Sequence, residues 1–161
     1  MKKIAALFVL VLTMSACTEE ITRNNPAFEG VKDGVSWRAA DASAIKYANG
    51  SVVITGLTQY ETLVLKTTSA NSATYTLGVS IGNQASFVIK QNGQEISYQT
   101  GIGSGQGNIK ITEYDDVNQT ITGSFEFKAP KLGVTLPTDL EPSELNFQKG
   151  VFYKLPLVPA L

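Results

Sequence analysis

The sequence predicts an all-β domain, an antiparallel meander that forms a β-sandwich or a barrel-like domain of about ten strands. Apolar and polar residues alternate with a period of two from Phe28 onward, and Gly, Asn and Asp residues interrupt the alternation. No segment of this part has the apolar spacing of an amphipathic helix. The chain has 161 residues, 43% hydrophobic and 17% charged, which is enough for one core and argues against disorder.

Turn dipeptides predict three hairpins. Asp33-Gly34, Asn49-Gly50 and Asn92-Gly93 each separate two alternating segments. Asn-Gly and Asp-Gly suit the positive φ angles of tight hairpin turns. The predicted strand pairs are Phe28–Val31 with Val35–Arg38, Ser43–Ala48 with Ser51–Leu57, and Ser86–Lys90 with Glu95–Gln99.

The later strands show the clearest division into two faces. In Thr120–Lys128, one face holds Ile121, Gly123, Phe125 and Phe127, and the other holds Thr122, Ser124, Glu126 and Lys128. An antiparallel sheet with one solvated side requires this division. The remaining predicted strands are Glu61–Thr68, Thr74–Leu77, Asn108–Tyr114 and Val151–Leu155.

Two longer connections follow from composition. Asp115–Gln119 reads as the hairpin loop between two of these strands, because Asp and Asn favour turns. Pro130–Pro142 contains three prolines and is predicted to be a long loop with one helical turn at Pro142–Leu145.

The first residues have the layout of a secretory signal. Lys2 and Lys3 precede a short apolar run, residues 4–12, which is too short to cross a membrane. Met14-Ser15-Ala16-Cys17 then resembles the bacterial lipobox, with Met14 in place of the usual leucine. The resemblance implies cleavage before Cys17, a diacylglycerol thioether on its sulfur and acylation of the new amine. The other interpretation is ordinary signal cleavage that leaves Cys17 a free thiol.

The predicted organisation is therefore a lipoprotein signal peptide over 1–16, a lipidated cysteine and flexible tether over 17–27, and a single all-β domain over 28–161. Thr18 stands where an aspartate would suggest inner-membrane retention, so it favours the outer membrane. Glu19 and Glu20 faintly resemble the acidic surface-export signal of Bacteroidota lipoproteins, but a solvated tether is the ordinary explanation of such residues. The periplasmic face and the cell surface both stay open as locations.

Charge and composition exclude several classes of function. The formal net charge of −1 provides no basic surface for nucleic acid. The chain has no histidine and one cysteine, which excludes Ser-His-Asp and Cys-His catalysis, histidine-ligated metals and internal disulfides. Without Lys2 and Lys3 the mature part is mildly acidic, so we expect membrane attachment through the lipid. No cofactor and no metal are expected.

Two motifs resemble ligand-binding loops, one for phosphate and one for calcium, but each lacks residues that such a loop requires. The glycine-rich stretch Gly101–Gly107 lacks both G-x-G-x-x-G and a Walker lysine, and no helix follows it, so it reads as a flexible connection between strands. Asp115-Asp116-Val117-Asn118 could offer oxygens to calcium, but it lacks the glycine and glutamate of an EF-hand, and a turn explains it.

Four aromatic residues are candidates for stacking on a ligand. Trp37, Tyr47, Tyr60 and Tyr98 have ring faces that suit the apolar side of a sugar. Aromatic residues on strands more often belong to the core, and this applies above all to Trp37.

The order of several segments resembles a group of small Bacteroidota lipoproteins classed as a domain of unknown function. The likeness covers roughly residues 28–155 and implies an all-β lipoprotein, but no activity and no catalytic residues. Its motifs are Gly34–Ala39, the strand-turn-strand over Asn49-Gly50, Ala73–Leu77, Gly107–Thr112, Thr120–Phe127 and Lys149–Phe152.

The sequence thus predicts a lipid-anchored envelope protein with a non-enzymatic binding or structural role. For the binding role, the candidate ligands are a glycan and a protein. The alternative is a hydrolase that uses two carboxylates across a cleft and acts on envelope or dietary glycans. A binding module should present an aromatic cluster or a groove. An enzyme should present convergent carboxylates. A structural subunit should present an exposed apolar patch or an unpaired edge strand.

Overall fold

The computed structural model describes residues 27–91, 93–133 and 142–160, and these residues form eleven β-strands. All-β architecture is confirmed, with one strand more than the predicted ten or so. The strands are β1 (Ala27–Lys32), β2 (Val35–Arg38), β3 (Asp41–Lys46), β4 (Val52–Leu57), β5 (Glu61–Thr67), β6 (Ala73–Leu77), β7 (Gln84–Gln91), β8 (Gln94–Gln99), β9 (Gln106–Asp115), β10 (Thr120–Pro130) and β11 (Glu144–Pro159).

The predicted hairpins form, and their turns differ in mechanism. At Asp33-Gly34 both residues have positive φ angles, 48° and 83°, as a two-residue turn requires. At Asn49-Gly50 only Gly50 has a positive φ, 85°. The last pair before that turn is Lys46 with Val52, so the loop is longer. Asn49 closes it with its side chain, because its Oδ1 accepts hydrogen bonds from the amide (3.0 Å) and hydroxyl (2.7 Å) of Ser51.

The strands join into one curled, mostly antiparallel sheet in the order β6-β9-β10-β11-β3-β4-β5-β7-β8, and β1 pairs with β11 and β2. Two features depart from a simple meander. Strand β6 does not pair with its sequence neighbours β5 and β7 but with β9. The end of β11 pairs in parallel with β3, where Leu157 lies opposite Ala44.

Strand β11 differs most from its prediction. It has 16 residues, whereas the sequence predicted a short strand at Val151–Leu155. The predicted helical turn at Pro142–Leu145 is wrong, because β11 already begins at Glu144. Leu145 is buried opposite Ala129 of β10, and pairing with that neighbour extends the strand where local sequence indicated a loop.

The core is built mainly from aromatic rings on the inner face of the curled sheet. Phe28, Trp37 and Phe147 lie at its centre, with the rings of Trp37 and Phe147 5.4 Å apart and nearly perpendicular. The backbone passes close to these rings where glycine allows it. A Cβ at Gly150 would lie 2.4 Å from the ring of Phe125.

Within the described residues, no helix is long and apolar enough to span a membrane.

Candidate functional site

The chain has two long uncharged segments, and the fold brings their loops together. No charged residue occurs between Lys66 and Lys90 or between Glu95 and Lys110. Residues 68–72 connect β5 to β6, residues 78–83 connect β6 to β7, and residues 100–105 connect β8 to β9. We call these three connections the uncharged loop cluster.

Hydrogen bonds tie the uncharged loop cluster to itself and to the sheet. The amide of Gly103 donates to the carbonyl of Gly78 (2.8 Å), and the amide of Thr68 donates to Oδ1 of Asn83 (3.0 Å). Buried Thr100 holds the third loop, because its Oγ1 accepts from the amide of Ala85 (2.9 Å) and its carbonyl accepts from Nε2 of Gln84 (2.9 Å). The cluster is therefore a positioned surface on the sheet.

Close backbone approach explains the glycines of this cluster. Gly78 has a φ of 82°, and a Cβ on it would lie 2.4 Å from the carbonyl oxygen of Gly105. The stretch Gly101–Gly107 was predicted to connect two strands, and its residues 101–105 do so, whereas Gln106 and Gly107 already belong to β9. A bridge between Gly101 and Ser104 together with the bond to Gly78 fixes the course of the connection.

Three aliphatic side chains project from the cluster into solvent. Val79, Ile81 and Ile102 are 64%, 68% and 72% exposed. Single exposed aliphatic residues are ordinary, but here three of them stand on hydrogen-bonded loops without any charge. The arrangement gives an apolar contact surface with a polar, uncharged frame.

Strand β6 adds an accessible sheet edge beside this surface. In the described part of the chain, β6 pairs with β9 alone, and its Ala73, Thr74 and Thr76 are exposed. The other edges are protected. Strand β8 carries Glu95 and is covered by residues 131–132, where the amide of Leu132 donates to the carbonyl of Ser97 (2.7 Å). Strand β2 has four residues and ends in Arg38.

The four aromatic candidates do not converge. Trp37 and Tyr98 are core residues, 6% and 0% exposed, so their rings contact protein rather than solvent. Tyr47 and Tyr60 are exposed, but they flank opposite ends of β4, which puts them about 20 Å apart.

A half-buried carboxylate, Glu61, connects the start of β5 to the β1–β2 hairpin. Glu61 accepts hydrogen bonds from Nζ of Lys32 and, at 2.7 Å, from Nε1 of Trp37. Lys32 also lies over the ring of Phe87, 5.0 Å from its centroid. Both charges of the Lys32–Glu61 pair are therefore satisfied within the protein, which indicates a structural tie.

The two aspartates of the β9–β10 loop serve the turn. Hydrogen bonds from the amide and then the side chain of Asn118 lower the pKa of Asp115, and that from the amide of Val117 adds to this. Hydrogen bonds from Tyr114 and Gln119 lower the pKa of Asp116. Among the described residues, no three of the Cys, Asp and Glu side chains gather as metal ligands would.

A shallow surface groove of about 450 Å³ runs beside the β1–β2 hairpin and is lined by Glu29, Trp37, Arg38 and Lys149 among others. Its arginine is neutralised, because Nη1 of Arg38 lies 2.8 Å from Oε2 of Glu29. The groove offers one further cation, Lys149, and lies outside the uncharged loop cluster.

The predicted lipid site, Cys17, lies outside the described residues, as does the whole segment 1–26. Searches of curated proteins and of solved structures find no match to this chain. A family model described as a domain of unknown function, DUF6252, matches residues 24–156. This match covers the uncharged loop cluster and all the strands that flank it. The chain belongs to the DUF6252 family.

Proposed function

We propose that this protein is a lipid-anchored component of the cell envelope with a non-enzymatic binding or structural role. The observation that carries the proposal is the uncharged loop cluster, which presents Val79, Ile81 and Ile102 to solvent from a hydrogen-bonded frame. Burial of apolar side chains is the main favourable term in protein association. Absence of charge removes the desolvation cost that charged groups would add at such a contact.

The anchor is assigned to Cys17, the only cysteine, which follows Met14-Ser15-Ala16. Several acyl chains give stable attachment without a spanning helix. We expect the outer membrane as the location, because Thr18 follows the cysteine.

Replacement of the anchor residue tests this assignment. Cys17→Ser should move the protein from the membrane fraction to the soluble envelope fraction, because the sulfur that would carry the lipid is lost. Ser15→Thr, which keeps the cysteine, is the control and should remain with membranes. Wild-type membrane partitioning of Cys17→Ser in fractionated cells would refute the lipid anchor.

The role of the uncharged loop cluster is tested by replacing its three exposed aliphatic residues with serine. Val79→Ser, Ile81→Ser and Ile102→Ser together should leave the melting temperature nearly unchanged, because the side chains are exposed. Cross-linked adducts formed on intact cells should disappear, because the apolar contact is lost. The matched control is Val35→Ser with Val117→Ser, which replaces two exposed valines, 66% and 92% accessible, outside the uncharged loop cluster. Adducts that persist in the triple variant would refute the proposal.

Carboxylate-based hydrolysis of glycans is the competing function. It requires two carboxylates facing each other across a cleft, one of them with a raised pKa. Within residues 27–91, 93–133 and 142–160, the two carboxylates with a clear shift, Asp115 and Asp116, have a lowered pKa. Turnover of a glycan panel that vanishes when one carboxylate becomes its amide would establish the hydrolase instead.

A further inference from the structure

We infer that the edge of β6 is an interface for a second copy of this chain, which pairs antiparallel with it across a two-fold axis at Tyr75. The inference rests on the proposed function, because it names the partner that the uncharged loop cluster and its sheet edge would bind.

The edge is open to another strand. Ala73, Thr74 and Thr76 are exposed, and within the described ranges the only strand beside β6 is β9. Proteins usually protect such edges with charged side chains, prolines, bulges or covering loops. Strand β6 reads Ala-Thr-Tyr-Thr-Leu and pairs with β9 in continuous register, so its one protection is its short length.

The sequence of β6 is nearly symmetric about Tyr75, and this symmetry fits self-pairing. A two-fold axis at Tyr75 would place Thr74 of one copy opposite Thr76 of the second copy, on the outer face of the sheet. Thr–Thr pairs are favourable across antiparallel strands. Ala73 would lie opposite Leu77 of the second copy on the inner face, so that a small side chain faces a large one.

The charge distribution favours a second copy over a different protein. An interface across a two-fold axis brings each patch against itself, so any charge near the axis faces the same charge on the second copy. Like charges directly opposite each other destabilise strand pairing. The absence of charge throughout residues 67–89 removes this repulsion between the paired β6 strands and their flanking loops, and Lys110, opposite Thr74 on β9, is one strand removed from the axis. A different partner could tolerate charges and match them.

The loops that flank β6 enlarge the contact. A five-residue strand pair alone buries too little surface for a stable dimer. Val79 and Ile81 follow β6 directly, and antiparallel pairing brings this loop beside residues 69–72 of the second copy. Two copies thus contribute four exposed aliphatic side chains, two at each end of the paired strands.

Sedimentation tests the dimer, with the full chain carrying Cys17→Ser and purified in mild detergent. We expect a monomer–dimer equilibrium. Thr74→Lys with Thr76→Lys should raise the dimer dissociation constant at least about tenfold, because lysines then face each other across the axis. Ser43→Lys with Ile45→Lys is the control, since it adds two lysines with the same spacing at exposed positions of the central strand β3. A melting curve of each variant checks that it remains folded, because a lysine at position 74 would also lie opposite Lys110 of β9 in its own chain.

Cysteine pairing tests the register. In the Cys17→Ser background, an oxidised mixture of Thr74→Cys and Thr76→Cys chains should give a disulfide-linked heterodimer, whereas either chain alone should cross-link poorly. Efficient cross-linking of one variant with itself would refute the antiparallel register. A chain that stays monomeric, or a dimer that the lysines of β6 leave intact, would overturn the inference. The proposed function is judged separately, because adducts on intact cells that contain another protein and depend on Val79, Ile81 and Ile102 would still support it.

Discussion

Phe125 shows at the scale of one residue how the period-two pattern places a side chain. It is 2% exposed, and its neighbours Ser124 and Glu126 face outward. The ring packs edge-on against Phe28, with centroids 5.3 Å apart, and it lies where Gly150 leaves room for it. The prediction that Ile121, Phe125 and Phe127 share a buried face is confirmed.

Truncation of this side chain should be costly. Phe125→Ala should reduce the free energy of unfolding by about 3–5 kcal/mol, because it removes contacts with several rings and leaves a cavity. Ser124→Ala, on the outer face of the same strand, should change it by less than about 0.5 kcal/mol. Thr122→Ala should lie between them, at about 1 kcal/mol, because Oγ1 of Thr122 accepts a hydrogen bond from the amide of Lys154 (3.0 Å). Urea denaturation measures all three, and equal effects at Phe125 and Ser124 would contradict the face assignment.

At the scale of elements, Gly50 and Gly78 separate two reasons for a glycine in a turn or loop: the left-handed backbone conformation and the lack of room for a Cβ. Gly50 and Gly78 have nearly the same φ, 85° and 82°. A Cβ on Gly50 would meet no atom within 4 Å, whereas one on Gly78 would meet the carbonyl of Gly105. Backbone strain is therefore common to both positions, and steric overlap occurs at Gly78 alone.

The two glycines provide a matched pair of substitutions. Gly50→Ala should cost about 1–2 kcal/mol, because an alanine must adopt a left-handed conformation. Gly78→Ala should cost about 1–3 kcal/mol more, because the loops of the uncharged loop cluster must separate. Thermal unfolding gives the difference, and hydrogen exchange at Gly103, whose amide donates to Gly78, should increase in Gly78→Ala only. Equal losses in the free energy of unfolding for the two variants would show that the loops can separate without cost.

The elements also show what sequence can and cannot predict. Alternation and turn dipeptides predict most strands here, because both signals are local. Pairing partners are not local, so β6 gave no sign that it would join β9, and β11 gave no sign of its length or of its parallel pairing with β3. The missing charges of the uncharged loop cluster were readable in the sequence, but the contact between its loops follows only from the fold. The contacts of Glu61 with Lys32 and Trp37 cannot be predicted from the sequence, because the three residues come from distant parts of the chain.

At the scale of the whole molecule, Lys32, Trp37 and Glu61 connect the β1–β2 hairpin to the far part of the curled sheet. Glu61 is the first residue of β5, and the side chains of the Lys32–Glu61 pair are 21% and 19% exposed. The hairpin contributes Phe28 and Trp37 to the core, so this tie holds two aromatic rings in place.

Neutralising this carboxylate should destabilise the molecule. Glu61→Gln should lower the free energy of unfolding by about 2–3 kcal/mol, because the half-buried ammonium of Lys32 loses its counter-charge. Glu95→Gln is the matched control, since Glu95 forms an exposed pair with Lys90 at 3.7 Å and its loss should cost at most about 1 kcal/mol. A shift in the emission of Trp37, the single tryptophan, would report the change at the hairpin. Equal denaturation midpoints would refute the tie.

The double pairing of β11 has a consequence for the order of folding. Its first part lies between β1 and β10, and its last residues lie against β3. The ribosome makes β1 and β3 early and β11 last, so contacts such as Phe28 with Phe152 and Ala44 with Leu157 close very long stretches of chain. Such high contact order makes folding slow, and a nascent chain that lacks β11 has three separate groups of strands, β1-β2, β3-β4-β5-β7-β8 and β6-β9-β10. We therefore expect that the sheet is completed only after β11 has been made, because β11 is the strand that joins the earlier strands to one another.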